Sequence, residues 1–108
     1  MSEIYVVGHW NVKPGQEDAF KKAWADIALP TFERFSGSTS VVLLQDTTSP
    51  LRFMSMGLWR GPGSIEAWRL SPEFAEAVEQ IKPMLESFEA ETLAQVFSYG
   101  QFATANSE

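Results

Sequence analysis

The strongest constraint on the fold lies in residues 6–20, which read VVGHWNVKPGQEDAF. Apolar residues alternate along this stretch up to the break at Lys13, Pro14 and Gly15, and beyond the break they recur with a period near 3.6. A strand, a tight turn and an amphipathic helix are therefore predicted in close succession. His9, the single histidine of the chain, precedes Trp10 on that strand, so the two side chains are expected on opposite faces of a sheet.

The remaining periodicity predicts strands over residues 39–45, 51–60 and 92–101, in addition to the first strand over residues 4–12. The order is strand, helix, strand, strand, paired helices, strand. This order predicts an α+β fold of the ferredoxin-like class, a split β-α-β sandwich with an antiparallel sheet.

Proline and serine positions predict where the helices begin and end. Pro30 is expected to kink or end the first helix. Ser64 is predicted to cap a short helix that runs through Trp68, and Ser71 to cap the next helix. That last helix is expected to continue through the apolar position Leu85, with a kink at a proline.

Length and composition exclude several classes of protein. The 108 residues suit one domain, predicted over residues 1–103 with a flexible tail over 104–108. A net charge of −6, with scattered basic residues, disfavours nucleic acid as a partner. The absence of cysteine excludes disulfides and thiolate chemistry. The apolar runs are too short to cross a membrane and the start of the chain lacks a basic leader, so a cytoplasmic protein is expected.

Both faces of the predicted sheet carry large apolar residues. On the third strand Phe53 and Trp59 share one face, whereas Met54, Met56 and Leu58 occupy the other. A sheet with helices on one side only would leave its second apolar face open to water. We therefore expect a homodimer in which two sheets pack face to face.

Two segments carry a resemblance to a known family. The stretches VVGHWNVKPGQEDAFKKAW and LRFMSMGLWRGPGSIEAWRLSPEF resemble the antibiotic biosynthesis monooxygenase family of the dimeric α+β barrel superfamily. The resemblance implies a dimeric α+β barrel with a ligand pocket between sheet and helices. It also implies, as the leading hypothesis, a cofactor-independent monooxygenase that oxidises a phenolic or anthrone-like aromatic molecule with O2. Because relatives include haem-degrading monooxygenases and isomerases, the motifs identify the fold more specifically than the chemistry.

The resemblance also bears on cofactors. Haem-degrading relatives use an asparagine, a tryptophan and a histidine at the positions that correspond to Gly8, Trp59 and Val78 of this sequence. Without an imidazole at Val78 no haem is expected, and the predicted cofactor content is none. No set of Asp, Glu and His has the spacing of metal ligands, so no protein-bound metal is expected either.

The candidate site is an aromatic wall. The predicted substrate-binding residues are Trp10, Phe53, Trp59, Trp68 and Phe74, and the predicted catalytic base is His9, whose ordinary pKa of about 6.5 suits proton transfer. Strand alternation directs His9 away from that wall, which leaves an interfacial role open for it. The aromatic residues can also be read as core. Two further functions remain open, a non-enzymatic dimer that binds an apolar metabolite and an isomerase of a small carbonyl compound.

Overall fold

The computed structural model describes residues 4–36 and 40–100, which form a four-stranded antiparallel sheet in the order β2-β3-β1-β4. The strands are β1 (Ile4–Val12), β2 (Val41–Gln45), β3 (Arg52–Trp59) and β4 (Leu85–Ala94), and the helices are α1 (Glu17–Ala23), α2 (Leu29–Ser36), α3 (Pro62–Arg69) and α4 (Pro72–Ile81). This is the predicted ferredoxin-like α+β fold. The predicted tail, residues 104–108, lies outside the described residues.

The turn between β1 and α1 forms where the sequence predicts it. The amide of Gln16 donates to the carbonyl of Lys13 at 3.0 Å, and Gly15 between them has a φ of +83°. Pro14 and Gly15 therefore occupy the central positions of a turn whose second residue needs a positive φ, which glycine adopts without steric cost.

The first helical region does not end at Pro30. A π-helical segment, Trp24–Ala28, joins α1 to α2, and the amide of Leu29 donates to the carbonyl of Trp24. A proline ring clashes with the carbonyl four residues earlier in a regular α-helix, and a wider π turn relieves that clash. Pro30 therefore lies in the first turn of α2, and the widened turn faces the sheet. Across residues 4–36 and 40–100, no helix combines the length and apolarity needed to cross a membrane.

The starts of α3 and α4 differ from each other. The residue before α3 is Gly61, and no side chain caps this helix, so the predicted cap at Ser64 is wrong. The hydroxyl of Ser71 accepts the amide of Phe74 at 3.0 Å, which confirms the predicted cap of α4. Pro62 occupies the first position of α3, where its missing N–H costs nothing, so the cap position falls on Gly61 and Ser64 lies within the helix.

The last strand begins earlier than predicted. Helix α4 ends at Ile81, a 3₁₀ turn covers Lys82–Met84, and β4 starts at Leu85, where the sequence analysis extended the helix. The predicted strand over residues 92–101 is therefore confirmed at residues 92–94 and wrong at residues 95–100, whereas residue 101 lies outside the described residues. Pro83 stops the helix rather than kinking it. Three glutamates obscure the strand pattern of β4, which is an edge strand and tolerates charge.

The helices cover only one face of the sheet, here called the inner face. Two buried clusters lie on it: one joins Val12, Phe20, Ala23, Phe53 and Ile81, and the other joins Val6, Phe32, Trp59 and Ile65. The strand register explains the division between faces. Gly8 lies opposite Ser55 and Trp10 opposite Phe53, and directly paired residues point to the same side.

On the other side of the sheet, here called the outer face, no helix from residues 4–36 or 40–100 packs. Val42 and Leu44 of β2 are 40% and 43% exposed, and Met54, Met56 and Leu58 lie beside them on β3. His9 lies on the same face, and its Nε2 is 3.4 Å from a carboxylate oxygen of Glu91. The outer face is therefore apolar along β2 and β3 and more polar along β1 and β4.

Candidate functional site

A cavity of about 400 Å³ lies between the inner face of the sheet and the helices. A volume of this size matches the lower range of small-molecule sites, which are mostly apolar with a few placed polar groups. All four tryptophans of the chain line the cavity: Trp10, Trp24, Trp59 and Trp68. The π segment contributes two lining residues, Trp24 and Ala28, so the widened turn helps to shape the wall.

Aromatic rings form two connected walls. The first wall runs in order of contact through Phe88, Trp10, Phe20 and Phe53, with neighbouring ring centroids 4.2, 5.4 and 4.9 Å apart. Phe88 and Trp10 line the cavity, and Phe20 and Phe53 pack behind them. The second wall runs through Phe32, Trp59, Trp68 and Phe74, with centroids 5.2, 5.0 and 4.7 Å apart. These separations are those of favourable tilted and edge-to-face pairs, so each wall is held in place by its own packing.

In the first wall, Trp10 is fixed by a hydrogen bond across the sheet. Its Nε1 donates to Oγ of Ser55 at 3.0 Å. Gly8 makes this bond possible, because a Cβ there would lie 2.8 Å from that Oγ and 2.9 Å from Nε1. The space above Gly8 is therefore filled by a hydrogen-bonded pair.

In the second wall, Trp68 is fixed in the same way. Its Nε1 donates to Oγ1 of Thr31 at 3.1 Å, and Thr31 in turn donates to the carbonyl of Ala28 at 2.9 Å. The Ser71 cap holds the start of α4 and with it Phe74, whose ring contacts Trp68. The indole nitrogens of Trp10 and Trp68 are thus both paired within the protein.

Trp59 differs from these two tryptophans. Its side chain is 0% exposed, and its Nε1 is the one buried side-chain nitrogen or oxygen within residues 4–36 and 40–100 that has no hydrogen-bond partner. Leaving a buried N–H unpaired costs about 1–3 kcal/mol. Trp59 belongs to the cavity lining, but its Nε1 has almost no accessible surface, so an acceptor atom of a ligand would reach this donor only after neighbouring side chains shift.

Charged side chains occur only among the exposed members of the lining. These are Arg69, Lys82 and Glu86, from α3, the 3₁₀ turn and β4. Arg69 donates from Nη2 to Oγ1 of Thr92 at 3.1 Å, so it links α3 to β4 beside the cavity. The charges therefore lie among the exposed residues of the lining, and the rest of the lining is mainly aromatic and aliphatic. In the described part of the chain, no three His, Cys, Asp or Glu side chains are grouped to hold a metal ion.

The structure brings together four of the six residues singled out from the sequence. Trp10, Trp59, Trp68 and Phe74 line the cavity. Phe53 is 4% exposed and packs behind Phe20, outside the lining. His9 lies on the outer face, as strand alternation predicts, and its side chain is 44% exposed. The catalytic role of His9 stays a prediction, and this position gives it no contact with a ligand in the cavity.

Sequence reasoning missed several lining residues. Ser55 was detectable, because it lies opposite Gly8 in the strand register and its hydroxyl is the acceptor that Trp10 needs. Phe88 was missed because β4 was placed too late in the sequence. Trp24 and Thr31 depend on the π segment, whose widened turn leaves no simple periodic signal.

Comparison with known proteins supports the same assignment of fold. Residues 3–80 match the sequence profile of the antibiotic biosynthesis monooxygenase family. A search of curated protein sequences gave no significant match.

Solved structures resemble this one over nearly its whole length. A protein from Bordetella bronchiseptica assigned to the antibiotic biosynthesis monooxygenases superposes with a TM-score of 0.80 at 22% identity, over 90% of this chain and 100% of that one. SnoaB from Streptomyces nogalater, described as a cofactor-independent oxygenase, gives 0.80 at 16% identity over 91% and 97% of the two chains. At such identities the likeness establishes the fold alone.

Proposed function

The chain belongs to the antibiotic biosynthesis monooxygenase family, and from that premise we propose that it oxidises a flat aromatic molecule with O2 in the cavity between sheet and helices. The proposed substrate is phenolic or anthrone-like, and no cofactor takes part in the proposed reaction. The similarity to a cofactor-independent oxygenase supports this choice of chemistry.

The buried and unpaired Nε1 of Trp59 carries the proposal. An aromatic wall alone would bind any apolar molecule, whereas an unsatisfied donor within that wall selects a ring system that bears an oxygen. A ketone or phenolate oxygen would accept the N–H of Trp59, while Trp10 and Trp68 flank the rings. A hydrogen bond to that oxygen becomes stronger as negative charge develops on it, so it favours the deprotonated substrate.

The proposed reaction needs little from the protein. Loss of one proton turns an anthrone-like substrate into a delocalised carbanion, which itself donates electrons to O2. One atom of O2 becomes the new carbonyl oxygen of the quinone. The other atom leaves as water, whose two hydrogens are the proton removed first and the second hydrogen of the original CH2 group. The protein orients the rings, stabilises the anion at Trp59 and limits access of water.

The group that accepts the first proton is a separate question. Glu86 is the carboxylate in the cavity lining, whereas His9 lies on the opposite face of the sheet. We therefore propose that Glu86, or water held beside it at the mouth, accepts the proton. The variants Glu86→Gln and His9→Gln separate the two assignments: loss of turnover in His9→Gln alone would restore the base predicted from the sequence.

The first experiment measures oxygen uptake by metal-free protein with anthrones and hydroxynaphthalenes, against heat-denatured protein. The Trp59→Phe variant removes the N–H but keeps a ring, and Trp68→Phe is its matched control because that N–H is already paired. We expect Trp59→Phe to lose at least about tenfold in turnover and in affinity for 1-naphthol, but not for naphthalene. Equal losses in both variants would remove Trp59 from its proposed role.

A second function competes with this one. The charged residues of the lining all lie at its exposed mouth, which favours a protein that binds an apolar metabolite without converting it. Calorimetric binding of the same aromatic panel without oxygen uptake would establish the binding function instead. Isomerisation of a small carbonyl compound stays a prediction.

We also propose that two copies associate through their outer faces. Val42, Leu44, Met54 and Met56 form an uncovered apolar strip on the outer face, and covering such a strip is favourable in proportion to its area. A twofold pair is the simplest arrangement that covers the strip on both copies.

A further inference from the structure

Two basic side chains beside the cavity have no acidic partner. The chain has 14 acidic against 8 basic residues, so carboxylates are in excess. The lysines and arginines that form ion pairs are Lys21, Lys22, Arg34 and Arg52. Arg69 and Lys82 line the cavity, and within residues 4–36 and 40–100 neither forms an ion pair. A cation left unpaired beside a cavity is available to an anionic ligand.

Arg69 is positioned by a second element of the fold. Its Nη2 donates to Oγ1 of Thr92 at 3.1 Å, which ties the end of α3 to β4. Thr92 pairs with Val6 in the strand register and shares the inner face with it, and Val6 lines the cavity. The guanidinium is therefore held on the inner-face side of the edge strand. A guanidinium has five N–H donors, and the bond to Thr92 uses only one of them.

The charges of the lining lie towards two different ends of β4. Lys82 and Glu86 lie where the strand begins, whereas Arg69 is bonded to Thr92 near the end of the strand. At about 3.3 Å per residue, Glu86 and Thr92 are about 20 Å apart along the strand. Lys82 therefore shares its end of the lining with a carboxylate, and Arg69 shares its end with none among the described lining residues.

Arg69 lies at the same end of the cavity as the second aromatic wall. Trp59 pairs with Ile4, at the end of the sheet where Thr92 also lies. Trp68 precedes Arg69 on α3, and its ring centroid is 5.0 Å from that of Trp59. An aromatic molecule placed against this wall would therefore bring a substituent within reach of the guanidinium.

We propose that the molecule bound in the cavity carries a carboxylate, which Arg69 binds while the rings lie against Trp59 and Trp68. This inference rests on the proposed function, because it adds a substituent to the aromatic molecule proposed there. A guanidinium presents its N–H donors in a planar fork that matches a carboxylate. One arginine balances one negative charge, so a carboxylate fits this end of the cavity better than a phosphate dianion.

Two ligands of similar shape test the assignment: 2-naphthoate, which carries the carboxylate, and 2-naphthylmethanol, which is uncharged. Calorimetric titration gives both dissociation constants, and their ratio measures the preference for the carboxylate. We expect Arg69→Gln to lower this preference at least about fivefold, with the affinity for 2-naphthylmethanol unchanged. Arg60→Gln is the matched control, because it removes the same charge from an exposed residue outside the lining, and its preference should equal that of the natural chain.

Two further variants locate the carboxylate. Thr92→Val keeps the arginine but removes the acceptor that positions it, so the preference should fall about two- to threefold. Lys82→Gln should leave the preference unchanged, because Lys82 lies at the other end of the lining. A loss in Lys82→Gln instead of Arg69→Gln overturns the proposal, as do equal losses in Arg69→Gln and Arg60→Gln.

Oxygen uptake is measured separately, so the carboxylate site and the oxygenase can fail independently. A preference for 2-naphthoate that depends on Arg69, without oxygen uptake by any member of the aromatic panel, supports the carboxylate site and rejects the oxygenase. Oxygen uptake with 1-naphthol by a protein whose ligand preference does not depend on Arg69 supports the oxygenase and rejects the carboxylate site.

Discussion

The two faces of the sheet are built by the same strands, yet they have different physical properties. The inner face carries tryptophan and phenylalanine and borders a cavity whose lining includes Trp59, with its buried and unpaired N–H. The outer face carries methionine, valine and leucine along β2 and β3, with the side-chain contact between His9 and Glu91 beside them. Successive residues of one strand therefore contribute alternately to the inner and the outer face, because their side chains alternate in direction.

The difference shows why an aromatic face can hold a ligand while an aliphatic face favours association. Rigid rings on the inner face span the gap between sheet and helices and leave space between two walls. The outer face carries flexible methionines and branched residues, which adapt to an opposing surface. On this comparison, ligand binding and association should respond to different substitutions along the same strand.

The largest expected difference between the two faces lies in stability. Phe53→Ala removes a ring that is 4% exposed in the inner core, so it should lower the free energy of unfolding by about 3–5 kcal/mol. The matched change Met54→Ala, one residue later on the outer face, should cost about 1 kcal/mol. Urea denaturation of both variants measures the difference. Equal losses would mean that the outer face is packed as closely as the inner one.

A glycine on the inner face offers the next test. Gly8→Ala places a Cβ against the Trp10–Ser55 hydrogen bond, so we expect a loss of about 1–3 kcal/mol and weaker ligand binding. The control Gly63→Ala meets open space in α3 and should stabilise the protein by about 0.4–1 kcal/mol. Thermal unfolding with and without 1-naphthol reports both effects. A stable Gly8→Ala variant with unchanged binding would show that the pair at Trp10 does not shape the cavity.

The sequence predicts the strands that alternate cleanly and fails where local signals conflict. Alternation in β1 and β3 correctly placed Trp10 and Trp59 on one face and His9 on the other, because side-chain direction in a strand depends only on parity. The fourth strand was misplaced because its glutamates resemble a helix surface and the segment after it, residues 95–100, has a cleaner strand pattern. Within the described part of the chain, residues 95–100 form no strand despite that cleaner pattern.

Parts of the site could not be predicted from the sequence, because they depend on three-dimensional contacts. Thr31 lines the cavity since the π segment widens the helix before it, and no period in the sequence signals such a turn. The unpaired state of Trp59 likewise depends on which atoms surround its nitrogen in the folded chain. Residue type predicted that tryptophans line the cavity. Only the hydrogen bonds separate Trp59, whose nitrogen is unpaired, from Trp10 and Trp68, whose nitrogens are paired.

A charge on the outer face should weaken association without changing the cavity. Met56→Lys places an ammonium group in the centre of the face that we propose to be covered in the dimer. We expect the dissociation constant to rise at least about tenfold, or about 1.4 kcal/mol, with affinity for 1-naphthol unchanged. Ala75→Lys adds the same charge on an exposed position of α4 and serves as control. Unchanged association in Met56→Lys would contradict packing through this face.

The smallest expected effect lies at the turn between β2 and β3, which belongs to neither face. The carboxylate of Asp46 accepts the amides of Thr48 and Ser49 at 2.8 and 3.0 Å, and these bonds hold the pKa of Asp46 below 3.8. A lowered pKa stabilises the folded state above about pH 4, and this stabilisation is lost as the pH falls through the folded-state value. Asp46→Asn should therefore lower the Tm slightly at pH 7, and the difference from the natural chain should shrink in acid.

The exposed carboxylate of Asp18 supplies the control for this turn, because its partner is a flexible lysine one helical turn away. Asp18→Asn should leave the Tm almost unchanged at both pH values, since exposed ion pairs contribute little. Neither substitution touches the cavity or the outer face, so both should preserve ligand binding and the dimer dissociation constant. A loss of either function in Asp46→Asn would show that the position of β2, which supplies Val41 to the cavity and Val42 to the outer face, couples the two faces.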